Sequence, residues 1–228
     1  MYRGEKVAAI IVAAGESRRM NGQNKLLMML AGKPILTYVL EIFIRSPLID
    51  QVIVSINKTE SEQLLNLINS FKQNDKILTC VGGPRRQDSV AAALALVDGC
   101  NWVIIHDGAR PMVTQNLIEE GLAAAEETGA AIAAVPVIDT IKLVGKNHLV
   151  ERTLPRDQLW SVQTPQVFRY NLILQAHRCV SHDVTDDAMM IEEIGESIKV
   201  FHGSYSNIKI TTPEDLIIAE CLIQKYGK

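Results

Sequence analysis

A chain of 228 residues, 47% hydrophobic and 21% charged, can bury most of the surface its unfolded form exposes, which excludes a disordered protein and a small stapled domain. Its net charge of −3 gives no electrostatic footprint for nucleic acid or an anionic membrane, and leaves room only for a local basic cluster and a small anionic ligand. Cys80, Cys100, Cys179 and Cys221 form no C-x-x-C pair, so neither a zinc site nor a disulfide framework is expected. No apolar run reaches the roughly 18 residues of a membrane helix, and no signal or transit segment is legible, which points to the cytoplasm.

The elements alternate. Val7 to Ala14 is a continuous apolar run, too short for a helix and suited to a strand buried on both faces. Gly15 ends it, and the polar stretch GESRRMNGQNK follows. Pro34 opens a helical pattern with Ile35, Val39, Ile42 and Phe43 on one side. Gln51 to Ile56 is a second strand, and helix-period leucines follow at Leu64, Leu65 and Leu67 with Ile68. Ile77 to Val81 is a third, cut off by Gly82-Gly83-Pro84, and a helix capped by Asp88 or Ser89 comes next. Trp102 to His106 is a fourth, ending in a loop Asp107-Gly108-Ala109-Arg110-Pro111; a helix from 115 to 127 leads to a fifth, AAIAAVPV. Strand and helix alternating in this way indicate a mostly parallel sheet with helices on both faces.

Between Thr140 and Pro155 the alternation breaks. Two alternating segments flank Gly145-Lys146-Asn147, as in a β-hairpin, although periodicity alone fits a surface excursion equally well. Trp160 to Phe168 follows, then helices from Asn171 to about Val180 and from Asp186 to Ile194. Ile198 to Phe201 and Ile208 to Ile210 read as late strands, and Pro213 with Glu214 and Asp215 starts a terminal helix. With no linker or repeat, residues 1–228 read as one domain.

Ligands of open parallel sheets sit beyond the carboxyl ends of the strands. Five segments put polar or flexible residues there: 15–25, 82–89, 107–111, 163–166 and 206–209. The first holds Arg18, Arg19 and Lys25, three basic residues in eight, after a glycine turn whose N–H groups can approach phosphate; an inert solvated loop is the alternative. Neither standard phosphate loop is present. Gly32-Lys33 is followed by Pro34, which breaks a Walker A, and Ser17 and Met20 occupy glycine positions of the dinucleotide fingerprint. Asp107, directly after a strand, can hold Mg²⁺ while the ion bridges substrate phosphates, or simply cap its loop. His106 reads as a packed or hydrogen-bonded histidine at the strand end and not a ligand, and no Ser–His–Asp or Cys–His arrangement stands out.

AAGESRRM at 13–20, NK at 24–25, GG at 82–83, DSV at 88–90, HDGARP at 106–111, DTIK at 139–142, QTPQVF at 163–168, TDDA at 185–188 and NIKITTPEDL at 207–216 occur in a specific order. Together they resemble the 2-C-methyl-D-erythritol 4-phosphate cytidylyltransferases of non-mevalonate isoprenoid synthesis, over about residues 7 to 220. The resemblance implies a Rossmann-like nucleotidyltransferase fold. It also implies conversion of CTP and methylerythritol phosphate to a cytidine-diphospho product plus pyrophosphate, with Mg²⁺. By the same resemblance Ala13, Ala14, Gly15, Arg19 and Lys25 wrap the triphosphate, Gly83 and Ser89 meet the cytosine, Asp107 meets the metal, and Ala109 lies along the ribose. Lys209 joins Arg19 and Lys25 around the α-phosphate. Thr140 and Arg156 bind the acceptor phosphate, with Thr164 and Thr185 nearby. Residues 140–156 correspond to an arm that hooks across a twofold dimer. Three positions depart from the family pattern: Ser17 for glycine, Pro84 for an acidic residue, and Ser206 for aspartate.

The chemistry is consistent with this set. A phosphate monoester with a second pKa near ~6 is mostly ionised at neutral pH, so it attacks without a general base. What it needs is relief of repulsion between two polyanions, which clustered cations and in-line positioning supply. The alternatives are a ribitol-5-phosphate cytidylyltransferase, which shares the QTPQ and NIK segments, and a non-catalytic nucleotide-binding module.

Overall fold

The computed structural model describes residues 1–15, 24–58, 61–71 and 75–226. Its strands are β1 (Val7–Ala13), β2 (Met29–Leu30), β3 (Lys33–Pro34), β4 (Gln51–Ile56), β5 (Ile77–Val81), β6 (Trp102–Asp107), β7 (Ala130–Pro136), β8 (Lys142–Val144), β9 (Val150–Thr153), β10 (Trp160–Arg169) and β11 (Lys199–His202). Its helices are α1 (Ile35–Arg45), α2 (Ser61–Asn69), α3 (Arg86–Leu94), α4 (Gln115–Thr128), α5 (Tyr170–Cys179), α6 (Asp187–Glu193) and α7 (Pro213–Tyr226). Seven strands form one sheet in the order β11-β7-β10-β6-β1-β4-β5. All pairs are parallel except those of β10, which runs antiparallel to β6 and β7.

The apolar runs became central strands because both faces are covered. Successive side chains of a strand point to opposite faces. Val7, Ala9, Ile11 and Ala13 of β1 therefore pack on one side with α1, α2, α4 and α7. Ala8 and Ile10 pack on the other with α3, α5 and α6. Local signals set the helix ends. The Thr114 hydroxyl accepts from the Leu117 amide at the start of α4, and Gly129, at φ 82°, closes that helix in the left-handed conformation glycine adopts without strain. Asp215 accepts from the amides of Thr211 and Thr212, fixing the entry to α7. Among the described residues no helix is long and apolar enough to cross a membrane.

Several expected boundaries moved. The cap of α3 is not Asp88 or Ser89: the helix begins at Arg86 with Arg85 as the N-cap, and Asp88, three residues on, reaches back to accept from the Arg85 amide, the half of a capping box that an arginine without an acceptor leaves possible. Asp107 is the last strand residue, not the first of the loop, because its register partner Val12 still lies in β1. Residues 208–210 are not a strand. A backbone link to the sheet end, Ile210 N–H to Ala109 O at 2.8 Å, ties the segment over β6 without a ladder. The segment around Gly145-Lys146-Asn147 does form a hairpin. β8 and β9 pair antiparallel, and the turn closes through Gly145 N–H to Leu149 O at 3.0 Å.

Candidate active site

The carboxyl ends of β1, β4, β5 and β6 open on the same edge of the sheet, as their parallel registers require. Antiparallel β10 brings Gln163 to Gln166 to that edge from the other direction, Gln166 pairing with Ile105. Two cavities of about 500 Å³ each occupy the edge.

The first cavity is lined by Ala13, Ala14 and Gly15 from the end of β1, and by Lys25 from a short 3-10 turn, where the Asn24 side chain accepts from the Leu26 amide. Asn57 and Lys58 after β4, and Gly82, Gly83 and Pro84 after β5, form another part of its lining. Ser89, Asp107, Ala109 and Lys209 complete what the sequence placed there. The two glycines are needed by space. A Cβ on Gly82 would stand 2.4 Å from the Ala14 Cβ, and one on Gly83 2.4 Å from the Asp88 Cβ. Buried Ser89 holds the turn: its Oγ accepts from the Gly83 amide at 3.2 Å and donates to the Arg85 carbonyl at 3.2 Å. Gly82→Ala is therefore expected to lower stability by about 1–3 kcal/mol, the usual cost of overpacking, and to weaken occupancy of this cavity; thermal melting and nucleotide titration check both.

The second cavity is lined by Thr164, Gln166, Thr185 and Asp186, among others. Both cavities share three residues: Arg86, Asp107 and Lys209. Around the Asp107 carboxylate stand Lys209 Nζ at 3.0 Å, Arg110 Nε at 3.4 Å and Arg86 Nε at 3.6 Å. Burial alone would push the Asp107 carboxyl up, but the charges of Lys209, Arg86 and Arg110 outweigh it and hold the group well below the usual carboxylate range. Asp107 is thus an ionised carboxylate beneath a cluster of cations.

The cluster is braced from below. Thr164 Oγ1 accepts from the Asp107 amide at 3.0 Å and lies 3.1 Å from His106 Nδ1, while His106 Nε2 lies 3.2 Å from the Arg110 carbonyl. A neutral ring protonated at Nε2 satisfies all three contacts. His106 is buried and packs on Phe43, the structural role its position suggested. Arg110 donates to the Asn207 carbonyl at 2.8 Å, and the Asn207 side-chain Nδ2 donates to the Thr164 carbonyl at 2.8 Å, which seats the segment carrying Lys209.

Lys25 and Lys209, the described members of the expected cation set, line the same cavity. Arg19, like Arg18 and Ser17, lies outside the described residues. Thr164 and Thr185 line the second cavity, although the Thr164 hydroxyl is committed to Asp107 and His106. Thr140 and Arg156 are not brought there. Both are exposed at the foot of the hairpin, where an Arg156 guanidinium N–H donates to the Ile138 carbonyl. Sequence reasoning missed Arg86 and Arg110 as functional groups and overlooked Asn57 and Lys58. Arg86 lay within the glycine-led segment 82–89, and the end of β4 was a strand end like the others; both were available signals.

The model of the 2-C-methyl-D-erythritol 4-phosphate cytidylyltransferase family (IspD) matches residues 7–225. A protein of that name from Dehalococcoides mccartyi is 48% identical over 225 residues, covering 99% of each chain. The crystal structure of 4-diphosphocytidyl-2C-methyl-D-erythritol synthase from Anaerococcus prevotii superposes with a TM-score of 0.85 at 32% identity, over 97% of this chain and 99% of that one. The Francisella tularensis 2-C-methyl-D-erythritol 4-phosphate cytidylyltransferase does so with a TM-score of 0.79 at 35% identity, over 95% and 99%. The chain belongs to the 2-C-methyl-D-erythritol 4-phosphate cytidylyltransferase family.

Proposed function

We propose that this chain transfers the cytidylyl group of CTP to 2-C-methyl-D-erythritol 4-phosphate, releasing pyrophosphate. The observation that carries the reading is the pair of adjoining cavities with a common wall of Arg86, Asp107 and Lys209. CTP occupies the first cavity, its triphosphate against the end of β1 and Lys25, its base toward Gly83 and Ser89, its ribose along Ala109. The acceptor occupies the second, beside Thr164 and Thr185. An oxygen of the acceptor phosphate attacks the α-phosphorus; the new P–O bond forms as the bond to the bridging α–β oxygen breaks, and pyrophosphate leaves with that electron pair. Lys25, Lys209 and Arg19 offset the negative charge brought together there.

Mg²⁺ belongs to the proposal. Among the described residues no group of three or more carboxylate, histidine or cysteine side chains could form an all-protein cage. Mg²⁺ bound by one or two carboxylates plus substrate phosphates does not require one, and ionised Asp107 fits that single-carboxylate role. When bound, the ion supplies charge neutralisation on the triphosphate.

The hairpin is proposed as a dimerisation arm spanning 140–156. Every residue of β8 and β9 is exposed, Leu143, Val144 and Val150 among them, as is Leu149 in the turn between them, and an isolated two-stranded hairpin is at best marginal in water. Docked on a second copy, it could carry Thr140 and Arg156 toward the partner's acceptor cavity. Replacing Leu149 and Val150 with glutamate is expected to weaken self-association by on the order of tenfold or more and to raise the acceptor KM; sedimentation velocity and steady-state kinetics check this. The cytoplasm is the proposed location, since all four cysteines are free thiols and two are exposed.

The deciding experiment measures pyrophosphate release by the purified chain. CTP, ATP and GTP are each paired with 2-C-methyl-D-erythritol 4-phosphate, and CTP is paired in parallel with ribitol 5-phosphate. Strong preference for ribitol 5-phosphate, or for a purine nucleotide, overturns the assignment.

A further inference from the structure

Asp187, the first residue of α6, is fully buried, yet it bears a carboxylate. One of its oxygens accepts a short hydrogen bond from Arg86 Nη1. The other has no hydrogen-bond partner among the described residues; His177 Nε2 faces it at 3.8 Å, too far to bond. Burial pushes the Asp187 carboxyl up, but Arg86, with His177 nearby, outweighs that and holds it below the ordinary carboxylate value. The backbone around it is pinned by its neighbour: Asp186 caps α6 by accepting from the Met189 amide at 3.1 Å and accepts from the Gln166 side chain at 2.7 Å.

Stability alone does not call for a charge here, since well-packed apolar residues often serve as well as a buried ion pair. What the charge does is geometric. Arg86 leaves the first turn of α3 with carboxylates on two sides: Asp187 bonds Nη1, and Asp107 lies 3.6 Å from Nε. A guanidinium is a rigid planar fork, so two fixed edges determine where the third points. Arg86 lines both cavities, and in the second it faces the space proposed for the acceptor phosphate.

We propose that Asp187, though sealed from solvent, is a positioning residue of the transfer reaction: it holds the Arg86 guanidinium at the boundary of the two cavities, where that group meets phosphate oxygens of the reacting pair. The proposal rests on the cytidylyl-transfer reading above. Without the Asp187 carboxylate, Arg86 falls back on Asp107 alone, and the cation cluster loses its lateral anchor.

Steady-state kinetics at saturating CTP with varied 2-C-methyl-D-erythritol 4-phosphate, a CTP titration and a thermal melt test this on the 228-residue chain. Asp187→Asn keeps the shape and removes the charge. It is expected to lower kcat/KM for the acceptor by about 10- to 100-fold, the scale of a misplaced catalytic group, with CTP affinity changed by less than about threefold and a cooperative melt. Asp187→Glu is expected to recover part of the loss. In a double-mutant cycle with Arg86→Ala, adding Asp187→Asn is expected to cost less than about threefold more, because both changes remove the same interaction. Wild-type kinetics in Asp187→Asn, an effect that multiplies in full with that of Arg86→Ala, or equal losses in CTP affinity and acceptor turnover each overturn the proposal. If Asp187→Asn does not fold, Asp187→Glu takes its place in the cycle and the same coupling criterion decides. A wild-type chain that makes no pyrophosphate from CTP and this acceptor defeats the reaction assignment instead, so the two failures are distinguishable.

Discussion

Lys209→Ala is expected to lower kcat by about two to three orders of magnitude, the effect of removing one preorganised group that stabilises transition-state charge. Lys209 stands on the wall common to both cavities, 3.0 Å from Asp107, with its side chain 39% exposed. Phosphate oxygens arriving there compete with Asp107 for the ammonium, and their charge is greatest when the acceptor oxygen and the α-phosphorus approach. The fold does not depend on Lys209. Asp107 keeps Arg86 and Arg110, and the backbone tie from Ile210 to Ala109 is untouched. Melting is therefore expected to shift by only a few degrees, the scale of about 1 kcal/mol in a domain of this size. Lys25→Ala is its companion at the opposite wall and should act the same way, since Asn24 and not the lysine caps that turn. Pyrophosphate release unchanged in both variants overturns the electrostatic account.

Asp107→Ala is expected to act on stability as well as on turnover. Deleting the carboxylate leaves Lys209, Arg86 and Arg110 facing one another with Asp187 as the remaining anion on Arg86. Breaking a buried ionic cluster at one member costs about 3–5 kcal/mol, which chemical denaturation measures directly. The pH dependence has a definite sign. The Asp107 pKa is lowered by folding, so its contribution is fully present above the unfolded value of about 3.9 and is lost as pH falls from there toward the folded value. Asp107→Asn removes that contribution, and its stability is expected to fall less steeply than the wild type's below about pH 4. Asp187 and Asp215, also lowered by folding, keep some acid sensitivity in the variant. An acid limb as steep in Asp107→Asn as in the wild type overturns the assignment of that linkage to Asp107.

Much of the architecture was legible without coordinates. Runs such as Val7–Ala13 and Trp102–Asp107 are continuous in hydrophobicity because both faces of their strands are covered, and that property belongs to the residues themselves. Gly82 and Gly83 were readable as a strand end because only a residue without a Cβ lets the chain turn against Ala14 and Asp88. Capping was less legible. Asp88 has the residue type of an N-cap, but Arg85 holds that position, because Asp88 reaches back to the Arg85 amide and bonds the Arg85 side chain as well. Residues 208–210 have a strand's composition but meet the sheet at the end of β6, which β1 and β10 already pair on both sides, and composition carries no information about that.

The sequence by itself determined most of the strands and helices and which strand ends carry polar and glycine residues; it offered Lys25 and Asp107 as candidates at those ends, and Lys209 through the family resemblance. Periodicity and residue type are local, so they survive without coordinates. Only the tertiary structure decided which ends meet. The strand order places β10 beside β6 and so sets Thr164 under Asp107, and helix packing brings Arg86 to Asp187 across 101 residues of chain. Such pairings follow from how layers stack and where crossovers land, and no window of sequence contains both partners.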